Sequence, residues 1–537
     1  MTDRRSFLLW SAAAGAAGLA GAAGFWRTQE IDTHLIYPGR QEGHFLRDHR
    51  QLPAPSDIVE TDVVVLGSGI AGLTAAWKMN KQGFTDFKVV SGPEPFGNAA
   101  SGQFGDLHFP TGAHYLPVPS PASFHVREIL IDLGIIVRDG DRERPYYDER
   151  YLLHAPQERL LRNGRWQEGI IPSAAVPAAE LAEHRRFFQE IERLRGLTDS
   201  RGQRIFAIPS MLSSVDQTWQ DLDRLTFKDW LIQQRFQAPT LHWYLNYCCR
   251  DDFGSRYDQV SAWVGLHYFC SRIGRAANAE SGAWLTWPGG LGPLAEAMDL
   301  AAGSRRIAGT AVRVTHTSKG VEALCFELRD GIPRSFIVRA RKAICAMPLF
   351  VAARIVDNIT DLGFDPARHM PTYAPWLVAN FLMKGFPPEL PDAPLSWDNV
   401  VYDEPGLGYV VSTHQDIRVA PPPKTVFTAY VALSDRDPLS ARKWMESASA
   451  QELLAVASAD LKSAYGWKFA ANAERVDMTL RAHAMAIPAP NFRSNAGIKA
   501  LRELDGPILF AHADLSGFSV FEEAAWWGYR AAQLALR

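Results

Sequence analysis

Cysteine is scarce in this sequence. The five thiols among 537 residues, Cys248, Cys249, Cys270, Cys325 and Cys345, include no C-x-x-C spacing. Adjacent Cys248 and Cys249 do not form a metal-ligand pair by the usual patterns, so buried thiols and no metal centre are expected. An excess of charge of one sign is lacking too. Lys and Arg total 56 against 59 Asp and Glu, a net −3, which gives no electrostatic reason to expect a nucleic-acid partner. The Ala/Gly-rich stretch from Ser11 to Gly24 is only mildly apolar and is short for a membrane span. Internal repeats are absent. What the chain does have is 47% hydrophobic residues and the length for a large core and more than one domain.

The densest pattern lies between Asp62 and Gly97. Val63 to Leu66 form an apolar run suited to a strand buried on both faces. Gly67, Gly69 and Gly72 follow as G-x-G-x-x-G, with Ser68, Ile70 and Ala71 between them. Gly67 permits a tight turn, Gly69 lets a pyrophosphate approach the backbone, and Gly72 lets the helix pack close to the strand. The first helical N–H groups would then face the phosphate charge. A second strand, Lys88 to Val90, follows at the spacing of a βαβ unit, so dinucleotide binding is expected.

Ser91, Glu94, Gly97 and Asn98 come next. This run resembles V-L-E-x-x-D-R-x-G-G of the flavin amine oxidase superfamily without gaps. Ser91 stands where the ribose-binding Glu usually sits, Glu94 on the following acid, and Gly97 and Asn98 on the Gly pair. A hydroxyl at Ser91 can still bond a ribose hydroxyl, without charge assistance, and Glu94 is the other candidate for that contact. The resemblance implies an α/β fold: a Rossmann-like FAD-binding domain with an inserted α+β substrate domain, and FAD as cofactor. It also implies that Gly112 and Ala113 pass beside the flavin ring, and that the backbone at Val312 meets the adenine. His114 and Tyr115 could face the flavin or the substrate as catalytic residues, or be ordinary loop residues.

The C-terminal end carries the second match. Pro507 to Ala511 reads as a strand, 512–517 as a loop, and Phe521 to Ala532 as a helix. This resembles the family's closing F-A-G-D/E … E-G-A-x-x-S-G-x-x-A-A segment. By that resemblance Asp514, Phe521 and Glu522 lie at the flavin, and the helix dipole favours its anionic reduced form. Glu523 replaces the family's Gly, and Asp514 is displaced by one residue. A further departure lies in the strand Trp376 to Met383. Many members place a Lys here; in this chain the position falls near Val378.

Asp3-Arg4-Arg5-Ser6-Phe7-Leu8-Leu9 resembles a twin-arginine export signal. The export machinery is therefore an expected partner and the periplasm or exterior the expected location, with membrane contact only through an uncleaved signal. The expected organisation is a signal segment over 1–30, a Pro-containing linker over 31–59, and an FAD domain in three parts, 60–120, 283–356 and 481–537. The substrate domain fills 121–282, mainly helical, and 357–480, a mixed sheet with helices. The aromatic stripe Trp243, Tyr244, Tyr247, Trp263, His267 and Tyr268 either lines a cavity or fills core. Together these imply oxidation of a small organic substrate, an amine first, by hydride transfer to flavin N5. The alternatives are desaturation or isomerisation of an apolar polyene, and a non-catalytic electron-transfer flavoprotein.

Overall fold

The computed structural model describes residues 31–48, 51–390, 392–420 and 422–537; the twin-arginine segment lies outside the described residues. The apolar run Val63–Leu66 forms the centre of a five-stranded, wholly parallel sheet. Its order is Arg306–Ile307, Phe87–Val90, Val63–Leu66, Lys342–Cys345, Ile508–Phe510. Every residue of the central strand is buried, which is why it carries no polar alternation. Helix Ile70–Lys81 covers one face, and the C-terminal helix Phe521–Ala535 packs along it. A four-stranded sheet, built from the hairpins of Thr310–Thr317, Gly320–Arg329 and Ile332–Ala340 with Asp57–Glu60 at its edge, lies against this domain.

The second region is built on an eight-stranded sheet among the described residues. Its order is Asp32–Ile36, Ala473–Ala486, Tyr373–Met383, Thr425–Ala432, Tyr409–Val411, Asp398–Val401, Glu158–Arg162, Arg165–Glu168. One face supports the helices Ala178–Arg195, Phe227–Gln233, Pro239–Phe253 and Ala262–Ser271, whose buried side chains share a core with Leu160, Val378, Val400 and Val410. The other face carries a separate core around Leu377, Phe381 and Phe427.

Three expectations need correction. The 31–59 segment is not a plain linker: Asp32–Ile36 pairs in parallel with Ala473–Ala486, and Asp57–Glu60 pairs with Ile332–Ala340. Both strands are short, and each takes its order from a partner far along the chain. The boundary at residue 120 is also too early. Helix Phe124–Asp132 shares the dinucleotide-domain core through Val126, Ile129 and Leu130. Lys78 reaches Glu128 at 3.0 Å, and the Trp77 indole donates to Asp132 at 3.1 Å. The 121–282 block is therefore not one helical unit, and it also supplies Glu158–Arg162 and Arg165–Glu168 to the large sheet. Within the aromatic stripe, Trp263 and His267 stack at 4.8 Å in the core.

The C-terminal helix crosses the dinucleotide helix with almost no side chain between them. A Cβ at Gly528 would stand 2.0 Å from the Ala71 carbonyl oxygen. Gly528→Ala should therefore cost about 1–3 kcal/mol, the usual cost of overpacking. Urea unfolding measures it, and an unchanged midpoint would mean that the helices do not touch at the backbone.

Candidate functional site

The glycines of the turn after Val63–Leu66 do different work. Gly67 has φ +115°, and a Cβ there would lie 2.8 Å from the Ala346 carbonyl oxygen. At Gly72 a Cβ would fall 1.9 Å from the Gly67 carbonyl oxygen. Protein packing alone requires both to be glycine. Gly69 is different: its φ of −69° suits any residue, and nothing stands within 4 Å of a Cβ built there. Neither strain nor crowding accounts for it. The open space beside it, at the start of helix Ile70–Lys81, is what a pyrophosphate needs. The residues thus fit a dinucleotide. Ser68 ties this turn to the next strand, its hydroxyl donating to the Ser91 carbonyl at 2.7 Å, while Ile70 and Ala71 form the first helical positions.

Two further loops meet this turn. A Cβ at Gly97 would lie 3.9 Å from Gly69 Cα, and the Phe96 N–H points to the Ser68 hydroxyl at 3.4 Å. Ala113 N–H donates to the Asn98 carbonyl at 2.7 Å. Gly112 is packed so tightly on Asn98 that a Cβ would lie 2.4 Å from the Asn98 oxygen. That contact is sufficient reason for its small size. Gly92 N–H bonds the Gly309 carbonyl at 2.9 Å, so the strand that holds Val312 starts beside Ser91; Val312 itself sits at a bulge opposite Gly320–Arg329.

Two polar candidates have other partners. Glu94 pairs with Arg481 through both carboxylate oxygens, at 2.7 and 2.8 Å, so it closes the turn onto strand Ala473–Ala486 rather than presenting a free carboxylate to a ribose. Arg481 also reaches Asn98 at 3.3 Å, and the Asn98 amide donates to the Ala484 carbonyl at 2.8 Å. Asp514 is fully buried. Its carboxylate accepts the Leu349 N–H at 2.9 Å and the Tyr373 hydroxyl at 2.5 Å, and His512 lies 3.2 Å away. These partners hold it ionised against its burial. Asp514 is an internal tie that caps the helix Leu349–Ile355, not an open flavin contact. At the closing helix, Phe521 is buried in the dinucleotide core and Glu522 heads the first turn. Burial pushes the Glu522 carboxyl up to about 7, with Arg272 opposing. Glu523 accepts the Ser210 N–H at 2.6 Å and a bond from the Ser516 hydroxyl, so it ties the helical region to the C-terminal loop.

Past Gly112 the chain enters a group of aromatic rings. His114 stacks on Tyr430 at 4.5 Å, meets Tyr115 edge-on at 4.9 Å, and lies 5.3 Å from Trp397. Tyr115 packs on Trp284 at 4.1 Å, and the Tyr430 hydroxyl donates to the Gly112 carbonyl at 3.0 Å. Burial drives His114 down to about 3 and Tyr115 well above its ordinary value, so both rings are uncharged near neutral pH. They do not titrate in the physiological range.

Carboxylates border the rings, and Asp251 and Asp398 act on both Tyr115 and Tyr430. The Tyr115 hydroxyl lies 3.4 Å from Asp251, and Asp251, Asp398 and Glu158 lie within electrostatic reach of one another. All three are raised above the usual carboxylate range, burial being the largest cause. Arg272 is the cation facing Asp251, and it is already paired with Asp252 at 2.5 Å. Asp251 and Asp398 are surrounded by protein in depth yet keep partial exposure.

With this geometry in view, the comparisons are informative. Residues 65–133 match the NAD(P)-binding Rossmann-like domain family. Putrescine oxidase, in the structure bound to putrescine, superposes with a TM-score of 0.60 at 18% identity over 89% of this chain and 99% of its own. Cyclohexylamine oxidase from Brevibacterium oxydans gives 0.60 at 17% identity, over 89% and 99%. The chain has the fold of these oxidases. A CLA-producing fatty acid isomerase from P. acnes shares it as well, at 0.58 and 14% identity over 88% and 98%. No curated protein matches the sequence.

Sequence reasoning found the glycine loops, His114 and Tyr115, but not Glu158, Asp251, Trp284, Trp397, Asp398 or Tyr430. One signal was available: the doublet Asp251-Asp252 ends a helix otherwise rich in aromatics, Pro239–Phe253. The other residues come together only through sheet pairing. Val378, at the position where many relatives of this kind carry Lys, is buried between Tyr430 and Thr479 in the sheet.

The Asp251 shift has a checkable consequence. Burial, reinforced by Asp252, raises its carboxyl from 3.8 to about 7 in the folded chain. The native state therefore keeps a proton that the unfolded state has released. This contribution to stability is present below the unfolded pKa and is lost as pH rises through about 7. Asp251→Asn removes the titration, so the gain in Tm over the parent protein should be larger at pH 8 than at pH 5. Equal gains at the two pH values would mean that Asp251 is not held protonated.

Proposed function

We propose that this protein is an exported FAD-dependent oxidoreductase that oxidises an organic amine. One observation carries the substrate assignment: aromatic rings beside the Gly112 loop are bordered by the buried carboxylates Asp251, Asp398 and Glu158, and Arg272, the cation facing Asp251, is already paired with Asp252. Such a surface favours a cationic ligand, which gains from both ring faces and carboxylates. An apolar polyene would leave those acids unmatched, which makes desaturation or isomerisation the weaker reading.

The roles divide by position. The N–H groups at the start of helix Ile70–Lys81 and the open space at Gly69 would hold the pyrophosphate of FAD. Gly97, Asn98, Gly112 and Ala113 would carry the chain past the rest of the cofactor. FAD, when bound, supplies the two-electron acceptor for the C–H bond beside the substrate nitrogen. His114, Tyr115, Trp284, Trp397 and Tyr430 would orient the amine and exclude water from it. The Glu94–Arg481 pair fixes the substrate sheet against the nucleotide turn, so the two halves of the site keep their spacing. Export rests on Arg4 and Arg5 of the leading segment.

Three measurements test this reading. Anaerobic addition of primary amines to purified protein should bleach the flavin absorption bands, whereas apolar polyenes should not. Bleaching by polyenes alone would reverse the substrate assignment. Gly69→Trp should give folded, colourless protein, because the side chain enters space that no protein atom occupies; yellow protein with full flavin content would put the pyrophosphate elsewhere. Arg4→Lys with Arg5→Lys should leave the precursor in the cytoplasm, and an unchanged periplasmic yield would remove the export assignment.

A further inference from the structure

The C-terminal helix overhangs the nucleotide turn. Its last residues lie at the starting ends of the central strands, where Arg341 and Lys342 donate to the carbonyls of Ala535 and Leu534 at 2.9 and 2.6 Å. Its middle touches the start of helix Ile70–Lys81, through Gly528 on the Ala71 carbonyl. Lys78, near the other end of that helix, stands 4.4 Å from the centre of the Tyr529 ring. The two helices therefore run the same way. Glu522 precedes Gly528 by six positions, about 9 Å of helix. It thus stands beyond the nucleotide turn, on the side where the parallel strands end. A doubly wound sheet binds its ligand on that side.

Two adjacent acids occupy this helix start, and they are held differently. Glu523 accepts the N–H and the hydroxyl of Ser210 at 2.6 and 3.2 Å, and a further bond from the Ser516 hydroxyl. Glu522 is 2% exposed, yet among the described residues no group but its own N–H bonds its carboxyl. No side chain caps the helix, because the N-cap position is Val520. The charged groups around Glu522 supply no partner. Arg272, at the end of helix Ala262–Ser271, is bound to Asp252 of helix Pro239–Phe253 at 2.5 Å. His125, of helix Phe124–Asp132, bonds the Glu522 backbone carbonyl at 2.8 Å and is kept neutral by burial. Burial, joined by Asp252 and Glu523 and opposed by Arg272, pushes the Glu522 carboxyl up to about 7. A protonated carboxyl is a donor and an acceptor side by side, and leaving both unused in a buried place is costly.

We propose that Glu522 reads the ring end of the cofactor: as a neutral carboxyl it would pair with the C(=O)–N–H edge of the flavin's pyrimidine ring, its hydroxyl donating to the ring carbonyl and its own carbonyl accepting the ring N–H. This rests on the FAD reading above and adds to it which edge of the ring is recognised and by which protonation state. The match needs a donor and an acceptor at once. An ionised Glu522 has acceptors only, so it would turn the ring carbonyl away. Glu523, fixed to Ser210 and Ser516, holds the helical turn that presents Glu522.

The test titrates FAD into full-length protein freed of flavin, at pH 6 and pH 8.5, in the parent, Glu522→Gln and Glu522→Leu. The Gln amide keeps a donor and an acceptor and has no proton to lose. Thermal melting checks that the variants stay folded. In the parent, FAD affinity should fall about tenfold between the two pH values, the worth of one to two hydrogen bonds. Glu522→Gln should match the parent at pH 6 and hold that affinity at pH 8.5, whereas Glu522→Leu should bind weakly at both. FAD methylated at ring N3 has lost the N–H. The parent should bind it more weakly than FAD at pH 6, and Glu522→Leu should treat the two alike. A second readout uses the flavin-loaded protein: its visible bands should shift with pH near neutrality in the parent and stay fixed in Glu522→Gln. A parent whose FAD affinity ignores pH, or a Gln variant that keeps the parent's pH dependence, overturns the inference while leaving FAD binding standing. A parent that takes up no FAD at either pH overturns the cofactor reading, and this inference with it.

Discussion

Backbone packed directly on backbone fixes where everything else in this molecule sits. The Gly67 carbonyl faces Gly72, and the Ala71 carbonyl faces Gly528. These contacts lock the central strand, the first helix and the C-terminal helix into one unit. Side chains can repack around a loss of one methyl, whereas main-chain atoms in contact have nowhere to move. Because Gly72 meets Gly67 while its neighbour Ala71 meets Gly528, the chain's last helix is registered against the nucleotide turn with little freedom. Glu522 and Glu523 are thereby placed at the boundary between the two domains, where Glu523 reaches Ser210.

The second constraint is ionic. Arg481 lies on the long strand Ala473–Ala486 and grips Glu94 and Asn98 of the loop that follows the nucleotide strands. It also donates to the Thr111 carbonyl at 3.1 Å. A planar guanidinium with several donors in fixed directions can hold a carboxylate and two loop groups at once, which a Lys could not. The pair is mostly enclosed, and removal of either partner would strand the other's charge. So a polar contact joins the eight-stranded sheet to the loop beside the nucleotide turn. The acids on the far side of the aromatic group follow a different logic, since they are held by burial and by one another without a matching cation.

How much of this was legible in the sequence depends on distance along the chain. The strand Val63–Leu66, the glycine turn, the strand Ile508–Phe510 and the helix Phe521–Ala535 were readable because each is a local pattern: an apolar run next to glycine, or small residues at helical spacing. Asp32–Ile36 was misread as linker because its alternation is short and its partner strand begins at Ala473. Glu94 and Asp514 were assigned by position, and position did not reveal that Arg481 and Tyr373 would claim them. Glu158 and Asp398 had no chance of being read together, because only the pairing of two strands from different parts of the chain makes them neighbours.

The strand Asp32–Ile36 also decides which sheet receives a load applied at the start of the described chain. It runs parallel to Ala473–Ala486 at the rim of the eight-stranded sheet, and Asp32 is already in register with Arg475. The described chain therefore enters the fold at the edge of the eight-stranded sheet. A tether, tag or anchor attached there would load that sheet's edge in shear along the strand, while the parallel nucleotide sheet would carry none of the force directly.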